Sequence, residues 1–267
     1  MTREGIQSAL EEAKIAAREA GKLILEVYHS DFQVQEKADH SPVTEADLKA
    51  NECILNRLKK AFPDCGFLAE ESRDDFSRRE NSWCFIIDPL DGTKEFVKRS
   101  DEFTVNIALA YEKRPVMGVV FVPVWNQMYY AVKGQGAYLE KAGRVERIHV
   151  SDRVEHIRAA VSKSNSPANI GEIMAGYGIR HIIYAGSSIK GCLIAEGKAE
   201  IYYRGGRTCE WDTAAMQCIV EEAGGILRQL DDTEMTYNRE NVVNEKGFYI
   251  LNNVKNRINA YSEKMRQ

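Results

Sequence analysis

Two aspartates set three residues apart, Asp88-Pro89-Leu90-Asp91, close the apolar run Trp83 to Ile87 and are followed at once by Gly92 and Thr93. A buried strand ended in this way delivers two carboxylates to one point, and a glycine lets the backbone turn there without steric cost. A second short apolar run, Gly66 to Ala69, also stops in acid, at Glu70-Glu71-Ser72, and a further acid, Asp212, stands in Glu210-Trp211-Asp212-Thr213-Ala214-Ala215. Acids gathered at strand ends repel one another unless a cation sits among them. Carboxylate oxygens with no imidazole or thiolate partner select a hard cation, Mg²⁺ or Mn²⁺ before zinc. Two such ions ~3.5–4 Å apart can activate a water on one side and stabilise a leaving oxygen on the other, which is the chemistry of phosphate ester hydrolysis. Gly92-Thr93 opens a short helical pattern, TKEFVKR, whose first N–H groups suit a phosphate. The Thr93 hydroxyl can orient an attacking water, with Glu70 as the base.

Each piece also has a plainer reading. Asp212 stands where a helix N-cap belongs, and Asp47 has capping-box spacing from Thr44. Asp88-Pro89 and Asp91-Gly92 are ordinary turn dipeptides. Their joint occurrence behind an apolar strand is what favours a site.

The elements that must hold these groups follow from periodicity. Ile6, Leu10, Ala13, Ala17, Ile24 and Tyr28 place an amphipathic helix over residues 5–29. After a polar link and then the run Ser41-Pro42-Val43-Thr44-Glu45-Ala46-Asp47, a second helix runs from about 46 to 62 and stops at Pro63. Residues 73–81 read as a charged, mobile loop. Residues 103–139 read as an antiparallel meander with strands at 103–111, 116–122 and 127–132, one face of it packed on helices. From about 150 strands and helices alternate: strands at 158–162, 179–184, 199–203 and 247–251, helices near 167–177, from Ser188, from Thr213 to Ala223, and a short one at the end. The expected division is residues 1–150 and 151–267, with no linker composition between them, so that the two halves pack tightly.

Composition narrows the function. The 267 residues are 44% apolar and 28% charged, the balance of a soluble globular protein. No run approaches the ~20 apolar residues of a membrane helix, and the N-terminus lacks a signal-peptide core, so a cytoplasmic protein is expected, free or docked peripherally on a membrane. Six scattered cysteines without a CxxC pair read as reduced, mostly buried thiols. A net charge of −4 and the lack of a basic, aromatic-interleaved stretch argue against a nucleic acid polymer as partner. A monomer or homodimer acting on a small molecule is the expectation.

The run Asp88-Pro89-Leu90-Asp91-Gly92-Thr93 and the run Trp211-Asp212-Thr213-Ala214-Ala215 resemble the two signatures of the inositol monophosphatase superfamily of magnesium-dependent, lithium-sensitive phosphatases. Glu70-Glu71-Ser72 and Thr44-Glu45-Ala46-Asp47 fall where that family carries its other acids, and the resemblance covers roughly residues 40–225. Lys94-Glu95-Phe96, Gly186-Ser187-Ser188-Ile189-Lys190 and Ala195-Glu196-Gly197-Lys198-Ala199 are similar to the CysQ-type 3'(2'),5'-bisphosphate nucleotidase branch.

The resemblance implies an α/β fold, a layered αβαβα sandwich of the inositol monophosphatase and fructose bisphosphatase type with an α+β N-terminal half. It implies hydrolysis of the 3'-phosphate of adenosine 3',5'-bisphosphate, a by-product of sulfate activation, to AMP and phosphate with two or three Mg²⁺ ions. Carried over by position, Glu70, Asp88 and Asp91 with the Leu90 carbonyl would hold the first metals and Asp212 would complete the second. Asp47 would lie beside Glu70 at a weaker third site or its waters, Thr93 would help position the nucleophile, and Gly92 and Thr93 would supply phosphate-binding amides. Lys190 and Arg204 are the candidates for the remote phosphate of a phosphorylated nucleotide, because a second phosphate needs a cation; their plain alternative is as solvated surface residues.

Two departures concern the substrate side. Ser162-Lys163-Ser164-Asn165 stands where the branch shows Ser-Arg-Ser-His, and Arg207 where it often has proline. An inositol-1-phosphate or sugar monophosphatase is the alternative within the same chemistry, and a catalytically inactive phospholigand sensor is the alternative outside it. Against the sensor stands the joint presence of Glu70, Asp88, Asp91, Thr93 and Asp212.

Overall fold

The computed structural model describes residues 1–36 and 42–258; the end of the expected polar link, residues 37–40, and Ser41 after it lie outside the described residues. Helix α1 (Arg3–Tyr28) is capped by Thr2, whose hydroxyl accepts from the Gly5 N–H at 3.2 Å. Its buried face is made largely of Ala9, Ala13, Ala16, Ala17 and Ala20, which permits close approach of α2 (Glu45–Ala61). Strand β1 (Val34–Glu36) pairs antiparallel with β2 (Pro42–Thr44), and Thr44 both ends that strand and caps α2. As the spacing predicts, Asp47 accepts from the Thr44 N–H at 2.8 Å while the Thr44 hydroxyl serves the first turn, a device worth ~1 kcal/mol.

Seven strands then line up in chain order: β3 (Gly66–Ala69), β4 (Trp83–Asp91), β5 (Thr104–Tyr111), β6 (Arg114–Val122), β7 (Gln127–Val132), β8 (Gly136–Lys141) and β9 (Arg144–Ile148). Only β3 and β4 are parallel; the others pair antiparallel. A short helix, α3 (Thr93–Val97), follows β4. The meander thus runs past residue 139 to Ile148, and its last strand, Arg-Val-Glu-Arg-Ile, is an exposed charged edge with no apolar alternation to reveal it.

The second half contributes β10 (Arg158–Ser162), α4 (Ile170–Gly176), β11 (His181–Ala185), α5 (Ile189–Ala195), β12 (Ile201–Arg204), α6 (Glu210–Glu222), β13 (Ile226–Gln229) and β14 (Phe248–Leu251). Its sheet has the order β11-β10-β12-β14-β13, parallel about β10 and antiparallel about β14.

The expectation of one covered face for the large sheet is corrected: both are buried. Phe85, Ile87, Ile107, Val119 and Phe121 pack with α1 and α2, while Cys84, Ile86, Ala108, Val120 and Val122 share a core with α5 and α6. Burial on both sides is why β4 to β6 read as nearly continuous apolar runs. Helix α6 lies directly on β6 at Gly118, where an added Cβ would meet the Ala215 carbonyl oxygen at 2.4 Å. Ile170 and Met174 of α4 cover the outer face of the second sheet with Val161, Ile201 and Tyr203. The layers therefore run α1/α2, seven strands, α5/α6, five strands, α4, the layered sandwich expected from the resemblance.

The loop over 73–81 is pinned rather than loose. Arg78 is buried there, donating to Asp74 at 2.7 Å and to Asn238 Oδ1 at 2.7 Å, so its charge is paired inside the fold.

Candidate active site

Strand β4 carries the first acids further than a turn would. Its pairing with β5 continues through Asp88↔Asn106 to Asp91↔Thr104, so three steps on β4 match two on β5. The extra residue is a β-bulge, a local kink that re-aims side chains, and Pro89 is tolerated there because the ladder is already broken. The plainer reading of Asp88-Pro89 as a turn does not hold; the chain turns at Gly92, as expected, where a φ of 94° is cheap for glycine.

Asp212 arrives from α6. That helix begins at Glu210 rather than Thr213, so Asp212 is its third residue and not its N-cap. Its carboxylate accepts from the Cys209 N–H. The earlier start has a cause in the fold: buried Glu210 accepts from the Asn238 and Arg239 N–H groups at 2.6 and 2.9 Å, and the Asn244 amide donates to the Cys209 carbonyl at 2.8 Å.

The bulge and the helix start bring one carboxylate oxygen each from Asp88, Asp91 and Asp212 to within 4.8 Å of one another. At an effective dielectric of about 20, two full charges at such a separation repel by ~3 kcal/mol. Burial first, then Glu70, Asp91 and Asp212, push Asp88 well above the usual carboxylate range. Burial, then Asp91 and Glu70, push Asp212 up to about 8. Glu70 follows β3, its N–H bonded to the Ile87 carbonyl at 3.1 Å, and lines the same cleft of about 250 Å³ as the three aspartates, Leu90, Gly92 and Thr93. Leu90 is buried, its N–H donating to Asp88 Oδ1 at 3.1 Å.

Asp47 belongs to the same place. The Thr93 hydroxyl lies 3.1 Å from Asp47 Oδ1 and 3.3 Å from the Leu90 carbonyl, and its one proton favours the carboxylate. Asp47 is thus at once a capping residue of α2 and a partner of the site; the two readings are compatible.

The same cleft is also lined by cations. Lys190 is buried, not a surface lysine; it donates to the Ser187 carbonyl and stands 5.3 Å from the Tyr202 ring centroid. Burial pulls its ammonium down to about 8, and Asp91 and Glu95 oppose that fall. Arg204, half-buried at the end of β12, donates to the Asn165 carbonyl at 3.0 Å and lines the cleft with Arg207. Lys163 pairs outside with Glu102 at 3.5 Å, and the Asn165 amide oxygen accepts from Lys94 at 3.3 Å.

Ser188, Asn106 and Thr104, three buried residues around Asp91, carry no role in any sequence motif. Nothing in a linear pattern marks them, since they come from β5 and from the cap of α5.

All-oxygen donors, crowded and raised by one another's charge, fit a hard divalent cation; the cluster contains no imidazole or thiolate. Fold and site together define a class: layered α/β sandwiches that gather carboxylates in a cleft between their two sheets. The chain belongs to the inositol monophosphatase family, whose model matches residues 6–267. It is 40% identical over 233 residues to the 3'(2'),5'-bisphosphate nucleotidase CysQ of Escherichia coli (strain K12), covering 85% of this chain and 94% of that protein. The protein of the same description from Salmonella typhimurium is 40% identical over 240 residues, with 88% and 96% covered. Among solved structures, CysQ from Bacteroides thetaiotaomicron superposes with a TM-score of 0.80 at 39% identity, covering 92% of this chain and 97% of that one. The Thermotoga maritima IMPase gives 0.78 at 27% identity, with 92% of each chain covered. None of the six cysteines, all described, is in a disulfide, and among the described residues no helix is long and apolar enough to cross a membrane.

Proposed function

We propose that this chain is a Mg²⁺-dependent 3'(2'),5'-bisphosphate nucleotidase that converts adenosine 3',5'-bisphosphate to AMP and phosphate. The observation that carries the reading is one cleft lined both by a carboxylate cluster and by buried Lys190 with Arg204, which suits a small molecule bearing two phosphates. The names of the relatives at 40% identity agree with it.

Glu70, Asp88, Asp91, Asp212 and the Leu90 carbonyl would hold two or three ions, with Asp47 beside the weakest. Bound Mg²⁺ would offset the charge of acids and phosphate and make a nearby water more acidic. The Thr93 hydroxyl donates its hydrogen bond to Asp47 and so presents lone pairs to a water, which Glu70 deprotonates. The water oxygen forms the new bond to phosphorus as the bond to the ribose 3' oxygen breaks, and that oxygen takes up a proton from a solvent water in the cleft. Gly92 and Thr93 turn their backbone N–H groups to the reacting phosphate. Lys190, fixed by Ser187 and the Tyr202 face, remains mostly protonated near pH 7 and receives the remote phosphate with Arg204.

The second phosphate therefore decides the substrate. Side by side, adenosine 3',5'-bisphosphate should be turned over with a kcat/KM at least ~10-fold above that of inositol 1-phosphate, the equivalent of ~1.4 kcal/mol from the remote phosphate. Equal or better turnover of the inositol ester would sink the nucleotidase reading and favour the inositol one.

A further inference from the structure

Asp91 ends a bulged strand, where a carboxylate is free to turn about its own side-chain bonds, yet it must present one oxygen to the cluster it shares with Asp88 and Asp212. We propose that Ser188 and Asn106 are positioning residues that lock the Asp91 carboxylate and thereby set the cleft's affinity for a divalent cation. The inference rests on the metal reading above.

Hydrogen-bond direction can be followed atom by atom. The Thr104 hydroxyl lies 2.9 Å from Asn106 Oδ1, and a hydroxyl donating there fixes which way the carboxamide points. Asn106 Nδ2 then faces both Ser188 Oγ at 2.9 Å and Asp91 Oδ2 at 3.2 Å. Ser188 Oγ, having accepted one proton, places its own on Asp91 Oδ2 at 2.7 Å rather than on the Asp212 carbonyl at 3.3 Å. The Ser188 and Asn106 hydrogen bonds to Asp91 both end on the same oxygen, Oδ2, an arrangement that reserves Oδ1 for a cation.

Thr104, Asn106 and Ser188 are 0%, 1% and 2% exposed, so bulk water cannot stand in for a deleted partner. Ser188 caps α5 in the second half of the chain while Asp91 and Asn106 belong to the first sheet. One hydroxyl therefore ties the placement of the two halves to the geometry of the acids. Partners behind a metal ligand typically govern 10–100-fold in affinity.

The test is Mn²⁺ binding by the metal-stripped full chain, followed by the electron paramagnetic resonance of free Mn²⁺, for the wild type and Ser188→Ala. Binding should weaken roughly 10–100-fold in the variant, while its thermal midpoint in EDTA stays within a few degrees of the wild type. A folded Ser188→Ala protein that binds Mn²⁺ within about twofold of the wild type overturns the inference, the margin being far below the 10–100-fold range. Should Ser188→Ala not fold, Asn106→Ser takes its place, with weakening expected and unchanged binding overturning the inference equally. A wild type that fails to bind Mn²⁺ refutes the metal reading itself, which separates the two failures.

Discussion

Replacing Asp91 with asparagine is expected to lower Mg²⁺-dependent phosphate release by about 10³-fold or more, the equivalent of ~4 kcal/mol of transition-state stabilisation. Asparagine keeps the shape of the side chain but removes the charge at the point where three carboxylates converge. A hard cation held by acids loses both an anionic ligand and part of the field that keeps it in place. The fold should survive, because the substitution removes a repelling charge from a buried cluster rather than a packing contact. Circular dichroism and a thermal melt in EDTA check the fold, and a phosphate assay checks the rate. A Mg²⁺-dependent rate equal to the wild type would refute the assignment of Asp91, and with it the reading of the cluster as a working site rather than a sensor's remnant.

The same repulsion predicts an unusual pH dependence of stability. In metal-free protein Asp212 is pushed up to about 8 and Asp88 is raised as well, burial being the first cause for both. Unfolded, both return to the ordinary carboxylate range near 4. Between about pH 4 and 8 the folded chain therefore binds protons that the unfolded chain lacks, so stability falls as pH rises. The Asp212 contribution is fully present below about pH 4 and is lost as pH rises through about 8, at ~1.4 kcal/mol per pKa unit, and Asp88 adds to the fall in the same direction. The urea midpoint in EDTA should drop between pH 5 and 8, and excess Mg²⁺ should flatten the fall by taking the place of the protons. Asp212→Asn should flatten it without metal. A metal-free midpoint that is constant or rises over that interval would contradict the account.

The chemistry of the site was legible in the sequence because its ligands are local. Asp88 and Asp91 sit in one run, Glu70 ends the neighbouring strand, and Thr44 and Asp47 announce a capping box that the structure contains. What joins them was not legible. A bulge in place of a turn after Asp88 depends on the register of β5, which no single strand discloses. The start of α6 at Glu210 depends on amides from residues 238 and 239 and on Asn244, remote in sequence. Lys190 resembles a surface lysine in a helix of its own, and only the packing of α5 between two sheets buries it. The charged stretch around Arg78 looked mobile because its partner, Asn238, is contributed by the other half of the chain. Strands β9 and β13 are short and carry charged or polar residues, so periodicity passes over them.

The claim at the centre is that the acids between the two sheets hold divalent cations for hydrolysis of a phosphorylated nucleotide. The most direct test is phosphate release from adenosine 3',5'-bisphosphate by EDTA-stripped protein as Mg²⁺ is titrated back. The account predicts no release above background without a divalent cation and full recovery of the rate as Mg²⁺ saturates the cleft. Release at an undiminished rate in the absence of any divalent cation would contradict it.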